Sequence, residues 1–437
     1  MLSEQALKYF NIRLYEAHVK IFLGLMATLH PLALNEVFFG PLTGLASASR
    51  YARQCPELTD DAFLRLGIAR ALSDPRSGRG FLQQVGSLFE SCPATGHFFE
   101  VLKSERRLAL LMDVSVQATA LLENFTELPA AVDNYALYAG DGHWHGAASH
   151  DQKIDERRWP VGHLYALNIR THAMQHLALT EGKKEHDMSV IKRLGSNALR
   201  MGEPTGKKVL WIWDRAGLDF PLWHNWKQTA GVYFLSRTKE NLLFEPFASK
   251  LFDRADPINH GVIADEIVIA AHQVRVRLIR YRDPVSGEVY EFITSVFDLP
   301  PGLLAWLYKK RWEIEKVFDQ FKNKLEESKA WASSSTAKQI QAHFLCLTHN
   351  LLVLFEQKLE RDYQIKNEAG LRRQQKRLDD QIATAKKNDR LLCSLLTTVL
   401  RPLQRSVKLL RWLRSHWFSS CPISALLPQL KLLYANP

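Results

Sequence analysis

The chain is 437 residues long, too long for one compact core and suited to two or three domains. Its 46% hydrophobic and 24% charged residues are ordinary for a soluble globular protein, while a net charge of +11 points to a polyanionic partner. Five cysteines with no Cys-x-x-Cys pair argue against a disulfide framework and a zinc ribbon, and predict buried thiols in a reducing cytosol. The N-terminal MLSEQALKYFNIRLYEAHVK carries charges throughout, unlike a cleavable signal, and no apolar run is long enough to span a bilayer. These features predict a cytoplasmic protein.

Residues 1 to about 125 read as helical. The run ELTDD leads into AFLRLGIARAL, with Thr59 or Asp60 as the N-cap. HFFEVLKSERRLALLMDV follows as a helical stretch in which Lys103, Arg106 and Arg107 are candidates for DNA contact. From about residue 130 the texture changes to strands. NYALYAGD is the first, GHLYALNIRT and HAMQHLALTEG form a hairpin pair, and HDMSVIKRLGSNALRMG is a helix. KKVLWIWDRAG is a buried strand running to Asp214, DFPLWHNWKQTA a short helix with Asp219 as its cap, and GVYFLSRTK a further strand. The order is β-β-β-α-β-α-β, with Asp141 after the first strand and Asp214 after the fourth. His143, His145 and His150 fit no common zinc spacing and read as loop residues, with His143 or His145 close enough to Asp141 in sequence to touch the active site, and Trp211, Trp213, Trp223 and Trp226 read as core. Residues 238–298 hold three strand patterns, HGVIADEIVIA, VRVRLIRYRD and EVYEFITSVFD.

LPPGLLAWLYKKRWEIEKVFDQFKNKLEES reads as one long helix with prolines at its start, where they are tolerated. At about 100° per residue, with Tyr308 at zero, Arg311 falls near −60°, Glu315 near −20° and Lys322 near −40°. Leu307, Ile314, Phe318, Phe321 and Leu325 lie on the neighbouring side, at roughly −80° to −140°. A phenol, a guanidinium, a carboxylate and an ammonium thus share one edge of the apolar face. The remainder is helical and increasingly basic: from Lys358 to Arg414 fifteen Lys/Arg face six Asp/Glu.

Tyr308-x2-Arg311-x3-Glu315-x6-Lys322 resembles the Tyr-Arg-Glu-Lys signature of a large group of insertion-sequence DDE transposases. The resemblance implies an α/β fold, an RNase H-like mixed sheet with helices on both faces, a β-strand insertion domain, and helical N- and C-terminal regions. It implies that Asp141, Asp214 and Glu315 are the catalytic triad and hold two Mg²⁺ ions, for which Mn²⁺ can substitute. It implies too that Tyr308, Arg311 and Lys322 grip the DNA end beside the cut. Three carboxylates suit hard divalent cations, which serve in-line attack on a phosphodiester. The expected activity is cleavage of element ends and joining of the 3′-hydroxyl to target DNA. The partners are then DNA, both terminal inverted repeats and target, and a second copy in a homodimer on the ends of an element in the nucleoid.

The expected domains are 1–125 for DNA-end recognition, 130–237 and 299–345 for the catalytic core, and 238–298 for the insertion. Residues 346–437 form a basic helical region, within which 358–414 adds sequence-independent affinity. Some members of the family cut through a hairpin with an aromatic stacked on a flipped base, a part that Tyr290, Phe292 or Phe244 would play here. Two other readings stand beside this one: another RNase H-like nuclease, which the long insertion and the helix signature disfavour, and a catalytically inactive or domesticated DNA-binding relative, which three intact carboxylates disfavour. Inverted repeats flanking the gene separate them.

Overall fold

Six helices precede the first strand among the residues that the computed structural model describes, which are 32–73, 77–85, 94–124, 127–181, 185–396, 407–417, 419 and 421–435. They are α1 (Leu34–Phe39), α2 (Leu45–Ala48), α3 (Asp60–Leu72), α4 (Gly78–Val85), α5 (Thr95–Val101) and α6 (Glu105–Thr119). Thr59 caps α3, its hydroxyl accepting from the Ala62 N–H. The second expected helical stretch is two helices, because Ser104 caps a new start at α6. The N-terminal twenty residues and Cys92 lie outside the described residues. Cys346 and Cys393 are buried, Cys55 half-buried and Cys421 exposed, all as free thiols.

The strands and helices that follow keep the expected order: β1 (Tyr135–His145), β2 (Val161–Asn168), β3 (Met174–Leu179), α7 (Asp187–Leu199), β4 (Lys208–Ile212), α8 (Phe220–Ala230) and β5 (Val232–Arg237). β6 (Glu245–Ser249), β7 (Val262–Ala270), β8 (Val274–Arg282) and β9 (Val289–Thr294) come next. All nine join one mixed sheet in the order β3-β2-β1-β4-β5-β9-β8-β7-β6. β1, β4 and β5 are parallel neighbours, and β9 adds antiparallel to β5. The strands of 238–298 therefore continue the same sheet. β6 carries no strand pattern because it is a wholly exposed edge, interrupted by Pro246 and a bulge beside it.

β1 is longer than its apolar run. It pairs with β2 as far as His145 opposite Val161, so His143 and His145 are strand residues, while His150 is an exposed turn residue. The central strands are apolar on both sides because helices cover both faces of the sheet. Leu137, Ala139, Leu210 and Ile212 join the core under the N-terminal helices, and Tyr138, Val209, Trp211 and Trp213 join a second core with α7 and α8. This is an α/β RNase H-like fold with helical ends.

The predicted long helix is two, α9 (Pro301–Lys310) and α10 (Trp312–Lys324). Arg311 keeps helical angles (φ −52°, ψ −37°), but the bonds Arg311 N–H to Tyr308 O and Ile314 N–H to Arg311 O span only three residues. The turn tightens there and the helical course carries on. α11 (Ser335–Tyr363) crosses under α3, α6 and β3, and α12 (Glu368–Lys387), α13 (Val407–His416) and α14 (Ile423–Ala435) complete the described chain.

Candidate active site

Asp141 leaves the apolar part of β1 between two glycines, and each glycine makes room. The ring of Trp213, from the end of β4, occupies the place where a Cβ on Gly140 would stand. A Cβ on Gly142 would lie 2.6 Å from Asp187 Oδ1, at the start of α7. Asp214 follows β4 and caps a single 3₁₀ turn, its Oδ1 accepting from the Ala216 N–H at 2.7 Å. Its carbonyl accepts from the Ser236 hydroxyl of β5 at 2.8 Å, which fixes the backbone.

Glu315 reaches the site from α10, and Arg311 lies between the two elements. One guanidinium nitrogen donates to Asp141 Oδ2 at 2.8 Å, the other to Glu315 Oε1 at 2.9 Å. The arginine side chain is only 7% exposed, so this is not a surface pair on a helix. Arg311 Nε is buried without a partner in the structure. Burial pushes the Asp141 carboxyl up to about 7; Arg311 opposes this, while Asp214, Asp187 and Glu315 add to it. Burial, with the charge of Asp214, also raises Asp187.

Of the six residues singled out in the sequence, Asp141, Arg311 and Glu315 are in direct contact, and Asp214 lies within electrostatic reach of Asp141. Tyr308 is buried, its ring centroid 4.9 Å from that of Phe292 on β9 and 5.9 Å from the Arg311 guanidinium carbon. Lys322 is exposed two turns beyond Glu315. Asp219 caps α8 and pairs with Lys192 at 2.8 Å, and the four tryptophans are core residues.

Asp187 and Glu327 were not foreseen. Asp187 follows the polar run KKEH at a helix start, where an aspartate is ordinarily a surface charge, and Glu327 sits in a Glu-Glu pair at a helix end. Only the tertiary structure brings Asp187 behind Gly142 and buries Glu327 against His143, whose Nε2 lies 2.6 Å from Glu327 Oε2. Among the described residues, no three His, Cys, Asp or Glu side chains are gathered closely enough to hold a metal ion. The donor chemistry nonetheless suits a hard cation, since Asp141 and Glu315 both converge on one positive charge.

The basic residues divide into two groups. Arg106 forms a two-pronged pair with Asp60 and Arg107 donates to the Leu58 carbonyl, so both are committed to packing the N-terminal helices. On α12, by contrast, Arg372, Arg373, Lys376, Arg377, Lys386 and Lys387 are exposed. Residues 397–406 of the basic stretch lie outside the described residues. No helix among the described residues is long and apolar enough to cross a membrane.

Asp141 lies within β1 and Asp214 just after its parallel neighbour β4, so two carboxylates stand near each other on one α/β sheet. Residues 146–351, a little under half of the chain, match the family model of the transposase DDE domain, and this match supports a DDE transposase. The matched stretch contains Asp214, Arg311 and Glu315 and begins five residues after Asp141. No curated protein matches the chain.

Proposed function

We propose that the protein is an insertion-sequence transposase of the Tyr-Arg-Glu-Lys group, which cleaves element ends and joins the 3′-hydroxyl to target DNA. Asp141, Asp214 and Glu315 are then the ligands of two Mg²⁺ ions. The observation that carries the reading is the convergence of Asp141, from the central strand, and Glu315, from the helix crossing it, on a single cation beside Asp214. Bound divalent ions would activate the attacking oxygen and stabilise the leaving one. Arg311 has to withdraw from the two carboxylates, and its planar fork then suits a phosphate of the DNA end. Tyr308 backs Arg311 from the β9 side, and Lys322 offers the backbone a mobile charge. Exposed lysines and arginines of α12 supply further phosphate contacts. The active form is a homodimer holding two ends, working in the cytoplasm on nucleoid DNA.

The test is Mg²⁺-dependent cleavage of DNA bearing the inverted repeats that flank the gene. Asp141→Asn, Asp214→Asn and Glu315→Gln are each expected to abolish it while the thermal melt is retained, because an amide is nearly isosteric but a poor ligand for a hard cation. Near-normal cleavage by any one of them removes that residue from the triad.

A further inference from the structure

Two carboxylates that share a metal ion must be held close although their charges repel. Arg311 holds Asp141 and Glu315 together only while it bridges them. On the proposed reading it must leave for DNA, so another part of the fold has to keep α10 against β1.

Such a part exists one turn further along. His143, two residues beyond Asp141, donates from Nε2 to the fully buried carboxyl of Glu327 at 2.6 Å. Its ring stacks on Phe318, one turn after Glu315, with centroids 4.5 Å apart and planes inclined by 15°. Tyr165 of β2 closes the pocket from below, 5.6 Å from Phe318 and 5.8 Å from Phe321. The backbone completes the join: Gly146 N–H donates to Ser328 O at 3.3 Å, and Ala330 N–H donates to Gly146 O at 2.8 Å. The segment leaving α10 is therefore stitched to the segment leaving β1. Glu326, next to Glu327, is tied by its N–H to the carbonyl of Ala71 in α3.

We propose that His143 and Glu327 are positioning residues, a clasp that sets the separation of Asp141 and Glu315 and so the affinity of the site for a divalent cation. The inference rests on the carboxylate reading given above. Neither residue touches Asp141, Arg311 or Glu315 through any hydrogen bond in the structure; they act through the strand and the helix that carry those side chains.

The experiment uses the full chain in an Arg311→Ala background, which frees both carboxylates, with Mn²⁺ as the probe and its binding read by electron paramagnetic resonance. Glu327→Ala and Glu327→Asp are expected to weaken Mn²⁺ binding about tenfold, the lower end of what lost support behind a metal ligand costs. Glu327→Gln, which still accepts from His143, is expected to stay within about threefold of the background. Thermal melts accompany each measurement. Should Glu327→Ala fail to fold, Glu327→Asp tests the same point, since it keeps the charge and shortens the arm by one methylene. A clasp that serves stability alone lowers the melting temperature and leaves Mn²⁺ affinity unchanged in all three variants, and that result overturns the proposal. Glu315→Gln in the same background separates the two levels. Lost Mn²⁺ binding there with unchanged binding in the Glu327 variants discards the clasp only, whereas unchanged binding in Glu315→Gln discards the carboxylate reading on which it stands.

Discussion

On the proposed reading a cation has to take the position that Arg311 occupies between Asp141 and Glu315, so metal and arginine compete for the same oxygens. Arg311→Ala is accordingly expected to raise Mn²⁺ affinity in the absence of DNA. In EDTA the same variant should bind repeat-end DNA more weakly, with a salt dependence shallower by up to about one counterion. Glu315→Gln should bind DNA as tightly as the parent or tighter, because it removes a negative charge facing phosphate. Equal changes in the same direction for both variants, measured by gel shift at two salt concentrations, would refute an active-site edge. Of the three candidates for stacking on a flipped base, if cleavage passes through a hairpin, one is buried and two, Tyr290 and Phe244, are half-buried. Phe292 is buried against Tyr308, and Phe244 packs on Phe220 with centroids 6.1 Å apart. Tyr290 is half-buried under the Arg237 guanidinium, 4.7 Å from its ring centroid. Tyr290→Ala should reduce hairpin formation, and a hairpin yield equal to the parent's excludes it as the stacking residue. Asp141 and Glu315 were singled out as candidates by the resemblance that the Tyr308-Arg311-Glu315-Lys322 spacing carries, together with the place of Asp141 after an apolar strand run. The bridge between them was not legible as such, because an Arg and a Glu four apart on a helix read equally well as an exposed pair.

At the level of elements, strand order was written in the alternation of apolar runs and turns, but lengths were not. β1 runs on to His145 because β2 pairs with it there, and pairing is invisible to a scan of one segment. The same extension creates a buried row of imidazoles. His145 Nδ1 faces the Gly146 carbonyl at 3.0 Å, His145 and His163 meet at 3.1 Å, His163 and His176 at 3.0 Å, and His176 and His343 of α11 at 3.4 Å. A carbonyl only accepts, so His145 donates to it from Nδ1, and each later ring then donates from Nε2 to the one before. The row is satisfied when every ring is neutral. Burial lowers the affinity of His163 and His176 for protons well below the ordinary range and brings His343 to about 4. Unfolded, each ring takes a proton below about pH 6.5. The unfolded chain therefore binds more protons between that value and the lowered folded ones, and stability falls as the pH drops through this window. His343 alone contributes on the order of 3 kcal/mol to that loss by pH 4. Melting temperatures from pH 7 to 4.5 should decline less steeply for His343→Leu than for the parent; an equal slope would show that His343 does not carry the effect.

On the scale of the whole molecule, the helical flanks were legible as helices, while their attachment to the sheet was not. Phe63 of α3 meets Phe344 of α11 with ring centroids 5.2 Å apart, and the Phe344 ring occupies the space above Gly67. N-terminal leucines and those of α11 share one core. A chain beginning near Pro129 is thus expected to lose its cooperative thermal transition by scanning calorimetry. A truncated protein that melts like the full chain would show that the N-terminal helices form an independent domain. The far end of the molecule is tied in as well. Arg414 of α13 donates from Nε to the Leu72 carbonyl at 2.5 Å and from Nη2 to the Lys324 carbonyl at 2.6 Å. It thereby closes the C-terminal end of α10 against α3. Lys324 and Arg414 are 90 residues apart in sequence. A ribosome that has just finished the helix bearing Glu315 has yet to make the arginine that seats its end. The nascent protein, even with all three carboxylates already synthesised, holds that helix without its last support until α13 has been made and has docked.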